Sequence, residues 1–156
     1  MSILRLRWAA LGLLIVCLFA LTSFNPAVAQ SSNPTVRQII VPDEDRFTPF
    51  AITIRVGQRV QWVNNDTDDH TIVSDDAFNT AGHFGTNHLL PGTDAGGGQP
   101  GRFALSFDHP GTFLYYCRFH SHLDAFKQPV APGPDGGIQD ANGNFGTPMM
   151  GIIVVK

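Results

Sequence analysis

The sequence predicts an all-β protein, a Greek-key β-sandwich or barrel of about seven to eight strands, and three observations carry that reading. Valine, isoleucine, threonine and the 12 phenylalanines are plentiful while glutamate occurs once, at Glu44. β-Branched and aromatic side chains fit a pleated, half-buried surface better than a helix. The 16 glycines and 11 prolines cut these runs at short intervals, leaving segments of strand length. Finally, strict alternation recurs in Phe50-Ala51-Ile52-Thr53-Ile54-Arg55-Val56 and in Arg102-Phe103-Ala104-Leu105-Ser106-Phe107, and that period sends successive side chains to opposite faces of a sheet.

The elements follow in order. Thr35 to Val41 is a first strand, closed by a Pro-Asp-Glu-Asp turn at 42–45. Phe50, Ile52, Ile54 and Val56 form one face of a second, and Gly57-Gln58 makes a tight turn into Val60-Gln61-Trp62-Val63. His70 to Ser74 is a short strand after an Asn/Asp-rich loop, and 75–101, rich in Gly, Asn and Thr, reads as loop with at most a short helical turn. Residues 102–107 are expected to turn at Asp108-His109-Pro110-Gly111 and pair in a hairpin with Thr112 to Cys117. Gly151 to Lys156 supplies a final buried strand.

The first thirty residues read as an export signal. Arg5 and Arg7 precede an apolar run from Trp8 to Leu21, and Ala27-Val28-Ala29 is a small-x-small cleavage site. Residues 1–29 are therefore expected to be removed, leaving one domain over 30–156, exported to the periplasm or another extracytoplasmic space without stable membrane insertion. Val16 is too bulky for the position before a lipidated Cys17. The leader holds two arginines and no acid, so the remainder is more acidic than the formal −3 of the whole chain. No basic cluster is present to attract nucleic acid. Loss of Cys17 leaves Cys117 as a lone thiol in an oxidising compartment, where metal ligation explains its retention.

Cys117 ends an apolar run in Tyr115-Tyr116-Cys117-Arg118-Phe119-His120. With His70 upstream and Met149 in Pro148-Met149-Met150-Gly151, the chain offers two imidazoles, one thiolate and one thioether. Two nitrogens and a thiolate with a weak axial sulfur are the donors of a blue-copper electron-transfer site. The expected cofactor is one copper ion cycling between Cu(I) and Cu(II), with His70, Cys117, His120 and Met149 as metal ligands.

Residues from about Phe47 to Val155 resemble the cupredoxins, particularly the plastocyanin and amicyanin type. The resemblance runs through Phe47-x-Pro49, Ile52-x-Ile54-x-Val56-Gly57, Val60-x-Trp62-x-Asn64, His70-Thr71, Pro110-Gly111-Thr112-Phe113-x-Tyr115-Tyr116-Cys117-x-x-His120 and Met149-x-Gly151-x-Ile153-x-Val155. It implies a cupredoxin-like sandwich that holds one copper ion and passes single electrons; the accompanying expectations are a monomer that exchanges electrons with redox partner proteins and is not an enzyme. The chain departs from the pattern at Thr71, where asparagine is common, and at 121–148, where the family usually has only a few residues.

Other readings stay open. The 121–148 loop, rich in Gly and Pro, could reshape the site into a copper-handling protein or an enzyme with an open position, and a metal-free interaction module is a third class. A multicopper oxidase is disfavoured, since one such domain with six histidines cannot supply a further catalytic copper cluster. His122 competes with Met149 for the axial position, and Met150 competes as the thioether. His83 and His88 are loop histidines that could form a second metal site, and His109 is a turn residue. Phe113 and Phe119 are candidate neighbours of the metal, and Tyr116 a candidate border of an electron route. The acids at 43–45 and 75–76 are read as solvated turns.

Overall fold

A computed structural model describes residues 36–132 and 146–156. The expected leader 1–29, with Cys17, and Gly133, Pro134, Gly136, Gly137 and Gly143 of the long loop lie outside the described residues. The strands are β1 (Arg37–Val41), β2 (Ala51–Ile54), β3 (Arg59–Asn64), β4 (His70–Ser74), β5 (Asn87–Leu90), β6 (Gly101–Ser106), β7 (Gly111–Tyr116), β8 (His122–Leu123), β9 (Pro129–Val130) and β10 (Met150–Val155). They form a three-stranded sheet, β1-β3-β6, a five-stranded sheet, β2-β10-β7-β4-β5, and a separate β8-β9 ribbon. The all-β sandwich expected from composition is the observed architecture.

The core between the two large sheets is aromatic. Trp62 of β3 is fully buried and meets Tyr115 of β7 edge-on at 5.2 Å between ring centroids and Phe113 at 6.4 Å. Phe47 packs against the same Tyr115 at 4.8 Å. Offset and edge-to-face contacts of this kind add to the burial of large apolar surfaces. Ile39, Val41, Ile54, Ile72, Leu90, Ile153 and Val155 fill the rest of the layer.

Alternation holds within strands and fails at their ends. Ile52 and Ile54 point inward as expected, but Phe50 and Val56 are exposed at 52% and 45%. β2 pairs with β10 over 51–54, and these two residues lie at the ends of that ladder, Phe50 O accepting the Ile152 N–H at 2.9 Å and Val56 N–H donating to Lys156 O at 3.0 Å. Gly57 adopts a φ of 84°, in the left-handed region that favours glycine. The turn there does not close a hairpin, because β2 and β3 belong to different sheets.

The expected β6–β7 hairpin is likewise replaced by a crossing: β6 pairs with β3, and β7 pairs with β10 and β4. These two crossings are tied together, with Gly57 N–H donating to Phe107 O at 2.8 Å and Phe107 N–H to Gln58 O at 3.1 Å. Residues Asn87–Leu90, expected as loop, form edge strand β5. Their first three residues are exposed, so no alternation marks them; the ladder to β4, from Val73↔Asn87 to His70↔Leu90, holds them. In the long loop, β8 and β9 pair through His122↔Val130 and Leu123↔Pro129.

Candidate metal centre

Three of the four candidate ligands converge at one end of the sandwich. His70 is the first residue of β4, Cys117 follows the last residue of β7, and His120 closes the turn after it, its N–H donating to Cys117 O at 3.2 Å. The loop before His70 is shaped by buried Asn64. Its amide donates to Asp68 O at 2.8 Å and to Leu90 O at 2.9 Å, and its oxygen accepts Asp66 N–H at 3.0 Å.

Cys117 Sγ lies 3.8 Å from His70 Nδ1 and 3.7 Å from His120 Nδ1. One donor atom from each of these three residues fits within 4.8 Å of the others. His70 and Cys117 are fully buried, and the His120 side chain is 22% exposed. The sulfur also accepts the Thr71 N–H at 3.3 Å, with Thr71 Oγ1 at 3.7 Å. The threonine that departs from the family pattern thus lies against the sulfur, and its hydroxyl accepts Arg118 N–H at 2.9 Å.

Met149 is fully buried and is joined to the same corner through its backbone. Cys117 N–H donates to Met149 O at 2.9 Å, Met149 N–H to His120 O at 3.3 Å, and Ser121 Oγ to Met149 O at 3.1 Å. The other candidates stand apart. His122 is exposed in β8, and Met150 lines a cavity of about 300 Å³ with Phe78, Leu114 and Pro129. His83 and His88 are exposed, and His88 stacks on Phe103 at 4.1 Å; neither joins a metal-ligating group among the described residues. Phe113 belongs to the aromatic core, whereas Phe119 is 46% exposed beside His120. Tyr116, next to Cys117, is half-buried.

The outer nitrogens of both imidazoles face carboxylates that the sequence reading assigned to solvent or passed over. His70 Nε2 is 3.1 Å from Asp66 Oδ2. Asp45 Oδ1 is 3.7 Å from His70 Nε2 and 3.5 Å from His120 Nε2. Asp66 stands four residues before His70, a local signal that was available; Asp45 comes from the remote 42–48 turn, and nothing in its spacing announces it.

The charges follow from these contacts. Burial would push the Cys117 thiol up, but hydrogen bonds from His120, His70, the Phe119 amide and Thr71 outweigh it and bring the thiol down to about 5. Burial pulls His70 down, yet contact with Cys117 and Asp66 leaves it raised; His120 is raised chiefly by its hydrogen bond to Cys117. A thiolate is the form a soft metal needs, the imidazoles bind once neutral, and this three-donor corner fits a copper ion.

A depressed thiol stabilises the folded metal-free protein fully above the unfolded thiol's pKa near 9, and this contribution is lost as pH falls through about 5. Ultraviolet thiolate absorbance of the metal-free protein is expected to persist far below pH 9 and to disappear near 5. A midpoint at the ordinary thiol value would contradict the contacts described.

Residues 41–127, more than half of the chain, match the family of copper binding proteins described as the plastocyanin/azurin family. A plastocyanin of Scenedesmus fuscus is 32% identical over 74 residues, which are 47% of this chain and 74% of that protein. Amicyanin from Paracoccus versutus superposes with a TM-score of 0.50 at 15% identity, across 78% of this chain and 82% of that one; this likeness concerns the fold. A purple cupredoxin from Nitrosopumilus maritimus gives a TM-score of 0.48 at 22% identity, across 77% and 99% of the two chains. By the family match over its central strands, and with a sulfur and two imidazoles gathered where those strands end, the chain belongs to the plastocyanin/azurin family of copper-binding cupredoxins.

Proposed function

We propose that the protein is an exported carrier of single electrons in which His70 Nδ1, Cys117 Sγ, His120 Nδ1 and the Met149 thioether hold one copper ion. The observation that carries this reading is the buried thiol facing two Nδ1 atoms at 3.7 and 3.8 Å. Copper, when bound, supplies a Cu(I)/Cu(II) couple. The chain's own task is to keep the donors still, since a frame that suits both oxidation states lowers the cost of reorganisation. Thr71 fixes the sulfur, the β4 and β7 ladders fix the backbone on either side, and Met149 is anchored to Cys117 and His120.

The partly exposed His120, flanked by exposed Phe119, provides the edge at which a redox partner protein can exchange an electron. The reading includes removal of 1–29, a periplasmic or comparable extracytoplasmic location, a monomer, and transfer between partners without catalysis. Among the described residues no helix is long and apolar enough to cross a membrane.

Two features favour Met149 over His122 and Met150 as axial donor. It is fully buried and hydrogen-bonded into the ligand corner, while His122 is exposed in the ribbon and Met150 lines a separate cavity. Copper-loaded protein is expected to show an intense blue thiolate band and narrow copper hyperfine splitting. Met149→Leu keeps the band and raises the reduction potential, because weak donation to the oxidised ion is removed; His122→Ala leaves both unchanged. A spectrum altered by His122→Ala but not by Met149→Leu would assign the axial position to the histidine. Sustained substrate turnover by the pure copper protein would replace the carrier reading with an enzyme.

A further inference from the structure

Two carboxylates that lie outside the ligand set stand behind the imidazoles, against their outer nitrogens. Asp66 is almost enclosed, with a side chain 9% exposed. Its Oδ1 accepts the Thr67 N–H at 2.6 Å and faces the Asp68 N–H at 3.4 Å, which leaves Oδ2 directed at His70 Nε2, 3.1 Å away.

Asp45 comes from the remote 42–48 turn. It sits at a φ of 45°, in a turn closed by Thr48 N–H donating to Ile40 O at 2.7 Å and Ile40 N–H donating to Thr48 O at 2.8 Å. The adjacent cation, Arg46, pairs with Glu44 rather than with Asp45. One oxygen of Asp45 therefore lies within ion-pair reach of both imidazoles, at 3.7 and 3.5 Å.

We propose that Asp66 and Asp45 are positioning residues of the metal centre: from behind, they orient the two imidazoles and lower the centre's reduction potential. The inference rests on the ligand assignment above. A carboxylate accepting the outer N–H of a ligating imidazole fixes the ring and its tautomer and increases its donor strength. Negative charge close to the centre also favours the more positive, oxidised ion, and it does so more strongly where water screens it less. Asp66 at 9% side-chain exposure therefore acts more strongly than Asp45 at 37%.

The test compares the reduction potentials of copper-loaded wild type, Asp66→Asn, Asp45→Asn and Asp43→Asn. Asp43 is an exposed acid two residues from Asp45, so its substitution removes the same charge from the same turn without touching an imidazole. The blue band is expected in all four. The potential rises most for Asp66→Asn, less for Asp45→Asn and hardly at all for Asp43→Asn. In the diamagnetic Cu(I) form, the His70 Nε2–H is expected to be a slowly exchanging resonance in wild type and a rapidly exchanging one in Asp66→Asn.

Potentials of Asp45→Asn and Asp66→Asn that move no more than that of Asp43→Asn would overturn the inference, with the ligand assignment intact. If Asp66→Asn fails to fold, the comparison of Asp45→Asn with Asp43→Asn decides the matter at half-exposed and exposed positions. A wild type without the intense band would overturn the ligand assignment and this inference together.

Discussion

Cys117→Ser is expected to load with copper weakly and to be colourless, with the intense thiolate band and the narrow hyperfine splitting both lost. The serine hydroxyl is a hard, neutral donor that does not replace a soft thiolate, and the two imidazoles alone leave the ion without its strongest partner. The fold is expected to survive. A hydroxyl at this position can accept the Thr71 N–H that now goes to sulfur, and the core around Trp62, Phe113 and Tyr115 is built without the metal. Denaturant unfolding of the metal-free variant should therefore lie within about 2 kcal/mol of wild type, in the ordinary range for a single substitution. Retention of the blue band would remove Cys117 from the centre.

A large loss of stability is expected from Gly151→Ala. Gly151 stands opposite Tyr115 across the β10–β7 ladder, and the tyrosine ring lies over the space where a side chain would begin. A Cβ there would fall 2.3 Å from the Tyr115 hydroxyl oxygen and 2.5 Å from Cζ. Tyr115 is fully buried and wedged between Phe47 and Trp62, so it has nowhere to retreat. Overpacking of this kind costs about 1–3 kcal/mol, and the upper end is expected for a rigid ring against a paired strand. Urea unfolding of the metal-free variant measures it. A midpoint equal to wild type would mean that the ring can move aside, and that this glycine is not required by packing.

Part of this protein is legible in its sequence. Cys117, His120 and Met149 stand beside strands whose composition reveals them, and His70 opens one, so element reading and donor chemistry together point to the corner where His70, Cys117 and His120 converge. Pairing was less accessible. Alternation marks Arg102–Phe107 as a strand and the turn at 108–111 marks Thr112 to Cys117 as the next, but a turn between two strands looks the same whether it closes a hairpin or carries the chain to the facing sheet. β5 was hidden for another reason: Asn87, His88 and Leu89 are exposed, and what defines the strand is hydrogen bonding to β4. Asp45 belongs to the same class of blind spot, because its role depends on where a distant turn lies and not on its neighbours in sequence.

The backbone bonds at Met149 have a consequence for how this protein can vary. Cys117 N–H to Met149 O and Met149 N–H to His120 O clasp the two ends of the 121–148 loop beside the donors themselves. Whatever lies between those ends, the clasp transmits none of its length to the ligands. The entropy of closing a flexible loop grows only with the logarithm of its size, so each doubling costs about 0.6 kcal/mol. A cupredoxin closed in this way can acquire a long excursion such as the β8–β9 ribbon at small thermodynamic cost while its metal corner keeps its dimensions. The sequence between those ends can then diverge without altering the geometry of the corner it borders.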